Sequence, residues 1–149
     1  LYKLRKHLSN ERFFLTYGPE QGKNRVIRQT IDACLKNKTL KTSKGEALRD
    51  FCYIDDAIKS ILLSLQSNKT SGQILNVGSG RPIKVKNIIK LIRHKIKSGK
   101  IKFGSIDYRP GEIMAQYPDL KKIRKLINWR SNTSLNSGLN KTIKYFKNC

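Results

Sequence analysis

From residue 12 to residue 146, short apolar runs alternate with longer amphipathic stretches. Arg12-Phe13-Phe14-Leu15-Thr16-Tyr17 and Gln73-Ile74-Leu75-Asn76-Val77 are continuous and too short for stable helices, the mark of strands buried on both faces. Gly18-Pro19 ends the first and Gly78-Ser79-Gly80 the second. Between them, Val26, Ile27, Ile31, Cys34 and Leu35 share one helical face, with Asn24 as the expected cap. Ala57, Ile58, Ile61, Leu62 and Leu65 share another. Val85, Ile88, Ile89, Ile92 and Ile96 form the clearest amphipathic pattern, over residues 85–97. Strands are also expected at Thr39 to Thr42 and Lys100 to Phe103, with a turn at Lys44-Gly45. A helix is expected from Pro118-Asp119 to Asn128-Trp129, and a last one from Leu135 to Phe146 capped by Thr133 or Ser134. Strands alternating with helices predict an α/β architecture with some parallel sheet.

The segment Leu48-Arg49-Asp50-Phe51-Cys52-Tyr53-Ile54-Asp55-Asp56 concentrates the polar interest. Period-two alternation with aromatics reads as a strand, and Asp55 or Asp56 as the cap of the helix that follows. An arginine on a strand edge offers a planar fork suited to phosphate or carboxylate; the plainer reading pairs Arg49 with Asp50 on the surface. Tyr108-Arg109-Pro110-Gly111-Glu112 is a turn holding a cation and a carboxylate together. They either face one polar ligand or form a surface ion pair.

At 149 residues the chain holds one ordinary domain. Its net charge of +22 raises nucleic acid or an anionic ligand as partners. Lysines are spread along the chain, however, and genome composition alone can produce a Lys/Asn/Ile bias, so the charge is weak evidence for a partner. The aromatics fall mostly in strand patterns, against the mixed basic and aromatic surface that nucleic acid demands. Cys34, Cys52 and Cys149 lack the spacing of a zinc site or a disulfide framework. The longest apolar run, around Ile61-Leu62-Leu63, is too short to span a bilayer. With no signal peptide ahead of the domain, the expected compartment is the cytoplasm. Starting at Leu1, in helical-looking sequence rather than at a methionine, the chain reads as a fragment.

Gly78-Ser79-Gly80 lacks the third glycine of a dinucleotide fingerprint and reads as a plain turn. No Walker-type loop occurs. Tyr2 and Lys6 match a Tyr-x-x-x-Lys spacing that recurs by chance in lysine-rich helices, and His7 and His94 read as solvated.

Five motifs occur in order: Arg12-Phe13-Phe14-Leu15-Thr16-Tyr17-Gly18-Pro19, Arg49-Asp50-Phe51-Cys52-Tyr53-Ile54-Asp55-Asp56, Asn76-Val77-Gly78-Ser79-Gly80, Arg109-Pro110-Gly111-Glu112 and Leu126-Ile127-Asn128-Trp129. Ser134-Leu135, Gly138-Leu139 and Thr142-Ile143 close the set. Together they resemble the carboxy-terminal half of the extended short-chain dehydrogenases, the NAD-dependent nucleotide-sugar epimerases and dehydratases. The resemblance implies a few strands of a Rossmann-type sheet plus a small mixed α/β substrate-binding subdomain over residues 11–149. Residues 1–10 then end a helix from the amino-terminal half. Arg49 and Arg109 are implied to hold a nucleotide diphosphate and Glu112 its ribose, with Asn24 and Tyr17 as weaker candidates. Asn76, Val77 and Trp129 are implied to be packing positions. NAD or NADP is implied as cofactor, bound mainly by the other half. That half also supplies the catalytic tyrosine-lysine pair, so no catalytic residue is expected here. In the intact family a ring carbon of the sugar is oxidised by hydride transfer, and a homodimer is usual. Leu15 stands where the family often carries asparagine, implying a deoxysugar substrate or a divergent copy.

Overall fold

The computed structural model describes residues 9–148. Tyr2, Lys6, His7 and Cys149, with nearly all of the expected opening helix, lie outside them. The apolar run predicted as one strand is two, β1 (Asn10–Phe13) and β2 (Leu15–Tyr17). At Phe14 the chain changes neighbours. β1 runs parallel to β6 (Ile74–Val77), with Asn10 opposite Ile74 and Phe13 opposite Val77. β2 runs parallel to β5 (Phe51–Tyr53), with Leu15 opposite Phe51. Burial on both faces therefore fails for this run, since Phe13 is 41% exposed and Tyr17 alone is fully in the core. Among the described residues β1 pairs along one edge only.

The segment around Arg49 is also split. β4 (Leu48–Arg49) lies between β7 (Ile83–Lys84), antiparallel, and β9 (Ala115–Gln116), parallel. Asp50 sits at the break, fully buried. It accepts hydrogen bonds from Ser79 N at 2.5 Å, Ser79 Oγ at 3.1 Å and Arg81 N at 3.1 Å. A buried carboxylate is tolerated only when its oxygens are bonded in this way. Arg49 does not pair with Asp50.

α1 (Val26–Leu35) packs against α3 (Val85–Ile96), burying Ile27 and Ile31 in one cluster with Ile88, Ile89 and Ile92; Cys34 of α1 is buried as well. Each fully buried isoleucine contributes about 1.5–3 kcal/mol by removal from water. β3 (Thr39–Thr42) and β8 (Lys100–Phe103) form a parallel pair, as expected for both strands. α4 (Lys121–Ile127) begins three residues later than Pro118-Asp119 suggests. Asp119 Oδ1 accepts from Lys121 N ahead of the helix, and Asn128 closes it in the left-handed conformation that short polar side chains tolerate. α5 (Leu135–Lys147) is capped by Ser134, whose Oγ accepts from Ser137 N at 3.2 Å.

Two of the sequence expectations for α2 (Ile54–Leu65) are corrected. Tyr53 is its N-cap, without a side-chain bond, so Asp55 and Asp56 lie inside the first turn, where negative charge complements the helix dipole. Asp56 Oδ2 accepts from Ser131 Oγ at 2.8 Å and Thr133 N at 2.9 Å, while Trp129 Nε1 donates to Asp56 O at 3.0 Å. The helix buries Asp56, Ala57, Ser60 and Ser64 and leaves Ile58, Ile61, Leu62 and Leu65 exposed. The apolar face identified from periodicity points outward, apart from Ala57. Val77 and Trp129 are core residues, as expected.

Candidate functional site

A cleft of about 580 Å³ opens where the end of β1, the start of β2, the start of α1 and the β4–β9 pair converge. Arg49 reaches it from β4. Its Nη1 donates to Leu48 O at 2.8 Å, which fixes the side chain, and its Nη2 is bonded to Glu112 Oε1. These two residues are 63 apart in sequence. Glu112 is brought in by the Pro110-Gly111 turn, closed by its own amide donating to Arg109 O at 3.0 Å, with Gly111 at φ +75°. That positive φ suits glycine because it has no Cβ to clash. Arg109, from the other end of the turn, lines the same cleft as Arg49.

Asn24 also lines it but does not cap α1. The helix begins at Val26, and Arg25 is its N-cap, without a side-chain bond. Tyr17 is not part of the lining. Its ring is buried edge-on against Tyr53, centroids 5.6 Å apart, and its hydroxyl donates to Leu135 O at 3.4 Å beside Gly138. Burial, with Cys52, Tyr53 and Asp56 adding, pushes that hydroxyl well above the usual tyrosine range. The structure thus gathers Arg49, Arg109 and Asn24 at one opening, adds Glu112 through its bond to Arg49, and leaves Tyr17 to packing.

Among the polar lining residues, Arg12, Gln21, Arg25 and Gln116 were not singled out as site residues from sequence. Arg25 had a signal, being adjacent to Asn24 before a helix start. Gln116 had none, because the two-residue strand that carries it shows no pattern.

The glycine turn after β6 is folded onto a carboxylate and is not open as a cradle for a cofactor phosphate. The amides of Ser79 and Arg81 are already donated to Asp50, and a Cβ at Gly78 would collide with the Pro118 ring and that same carboxylate. A phosphate cradle requires free amides. The described residues therefore do not fit a dinucleotide at this turn, and no chemical step through one is derived from them.

A family profile described as GDP-mannose 4,6 dehydratase matches residues 2–142. The chain belongs to this family of NAD-dependent nucleotide-sugar epimerases and dehydratases. Among its curated relatives, UDP-glucuronate 4-epimerase of Thermodesulfobacterium geofontis is 30% identical over 142 residues, covering 94% of this chain and 43% of that protein. CDP-abequose synthase of Salmonella typhimurium is 30% identical over 142 residues, covering 91% and 47%. The solved UDP-glucuronic acid 4-epimerase of Bacillus cereus, in complex with UDP-glucuronic acid and NAD, superposes with a TM-score of 0.85 at 29% identity, over 93% of this chain and 44% of that one. The chain thus spans somewhat under half the length of each of these three, and the α/β fold with short parallel pairs is that of the Rossmann-type epimerases over this span. Among the described residues no helix is long and apolar enough to cross a membrane.

Proposed function

We propose that this chain grips the nucleotide diphosphate of a sugar nucleotide for a nucleotide-sugar epimerase or dehydratase, in surface-polysaccharide or deoxysugar synthesis. The observation that carries the reading is the convergence of Arg49 and Arg109 on one cleft, with Glu112 bonded to Arg49. Guanidinium forks match phosphate oxygens bidentately, and each charge-assisted bond contributes about 1.5–3 kcal/mol net. A phosphate reaching Arg49 competes with Glu112 for the same donors. Displaced, the Glu112 carboxylate is free to accept from ribose hydroxyls a few ångströms away. Asn24, just before α1, adds a neutral donor at a helix start, where anions are favoured.

On this reading the chain binds and does not catalyse. NAD or NADP, the acid/base pair and a homodimer contact belong to the part of the relatives that it does not span. The folding of the glycine turn onto Asp50 supports a binding role without a cofactor site. The relatives named above act on different sugars, so the sugar is left open at this level.

Calorimetric titration with UDP-glucose at ~150 mM salt tests the proposal, because screening suppresses unspecific attraction to so basic a chain. Arg109→Lys removes the fork but keeps the charge and should weaken binding about tenfold. Unchanged affinity would remove Arg109 from the site.

A further inference from the structure

Among the described residues four cations line the cleft, and all are arginines: Arg12, Arg25, Arg49 and Arg109. The chain has 22 lysines and 10 arginines, yet among the described residues no lysine lines this opening, and Glu112 reaches it only through its bond to Arg49. Lysine serves as a hydrated point charge nearly anywhere on a surface, whereas arginine is the better choice for planar, bidentate recognition of an oxyanion. Among the described residues Arg49 alone of the four is paired, with Glu112, while Arg12, Arg25 and Arg109 have no ion pair. Counting Glu112, the cleft carries a surplus of three positive charges. Phe13, Leu15 and Val26 also line it, and such walls strengthen every charge interaction inside.

A nucleoside diphosphate linked to a neutral sugar brings about two negative charges, enough for Arg49 and Arg109. The surplus then falls to one positive charge, and two guanidiniums, on β1 and at the start of α1, still have no ion-pair partner among the described residues. We propose that Arg12 and Arg25 form a second oxyanion subsite, and that the ligand is a nucleotide-linked sugar acid whose carboxylate they hold. This rests on the diphosphate reading above and narrows its substrate class. It also fits Leu15. An apolar side chain gives a neutral hydroxyl nothing to bond, and leaves recognition of the sugar end to charge.

Equilibrium titrations of the chain with UDP-glucose, UDP-glucuronate and UTP at ~150 mM salt decide the matter. UDP-glucuronate should bind roughly five- to tenfold tighter than UDP-glucose, the gain from one exposed bidentate contact. Arg12→Gln and Arg25→Gln, both at exposed positions, should each shrink that ratio towards one, with circular dichroism confirming the fold. Arg25→Lys should restore part of it. Equal affinities for the two sugar nucleotides overturn the second subsite and leave the diphosphate grip standing. UTP matching UDP-glucuronate, or a ratio indifferent to both glutamine variants, also overturns it, because charge is then read without regard to the sugar. Failure of all three nucleotides to bind takes down the diphosphate reading together with the subsite.

Discussion

α2 and α3 are both twelve-residue amphipathic helices, yet they use their apolar faces in opposite ways. α3 buries Ile88, Ile89 and Ile92 completely, because α1 lies across them. α2 turns small and polar residues inward and exposes Ile58, Ile61, Leu62 and Leu65 by 40 to 72%. Under α2, Ser60 Oγ donates to Glu11 Oε2 at 2.7 Å, while Glu11 Oε1 and Ser64 Oγ are buried without a partner. Periodicity reveals that a face favours burial. It does not reveal whether the same 149 residues supply the covering, and here somewhat under half of each relative's length is present.

The largest expected effect lies on the α3 side. Ile92→Ala should cost about 2–5 kcal/mol in chemical denaturation, from lost transfer energy plus a cavity. The matched change Leu65→Ala in α2 should stay within about 0.5 kcal/mol. Equal losses would erase the distinction between the helices. Next, Ser60→Ala should cost about 1–3 kcal/mol, since it strips a half-buried carboxylate of its donor. A neutral result would mean that the inward face of α2 is not held by that bond. Leu62→Lys should leave the melting temperature alone and reduce concentration-dependent association in sedimentation, as expected for an exposed apolar patch. A smaller effect concerns Glu46, which is bonded to Lys84 and Lys86 at the start of α3. Those bonds lower its pKa from 4.5 to about 2. A depressed carboxylate contributes stability above its unfolded pKa and loses it as pH falls through the folded one. The Tm difference between the native chain and Glu46→Gln should therefore shrink as pH drops from about 5 towards 2; a difference constant with pH would remove this bond from the account of α3. Smallest of all, burial, aided by Asp56 and Asp50, pushes the Cys52 thiol up to about 12, so its peptide should stay unlabelled by iodoacetamide in the native chain.

How far the sequence alone was informative follows from range. α1, α3 and α5 were legible because their patterns are long and their partners lie within this chain. The cap of α5 was legible to within one residue, Thr133 or Ser134, because capping is local, and Ser134 is the one that caps. The Arg12–Tyr17 run was misread because a strand's neighbours are set from elsewhere, and two different neighbours divide it at Phe14. Asp50 looked like a partner for the adjacent arginine. Its real partners, Ser79 and Arg81, are 29 and 31 residues away, and Arg49 finds Glu112 at a distance of 63. β7 and β9, two residues each, have no periodicity to detect. For the site, Arg49 and Arg109 were identified by motif, Asn24 as a weaker candidate at a helix start, and all three line one cleft. Arg12 and Arg25 lie beside those candidates in sequence, but their place on the cleft wall depends on how β1 and α1 come together in space.

Gly138, in the last helix, lies so close to Tyr17 and Tyr53 that any side chain there would overlap their rings. The two strands that shape one wall of the cleft, β2 and β5, are thus backed by α5. All four cleft arginines precede residue 138 in the chain, yet the buttress that holds their wall in place follows them. Disturbing α5 should therefore loosen the grip on a ligand although every residue that would touch it is kept.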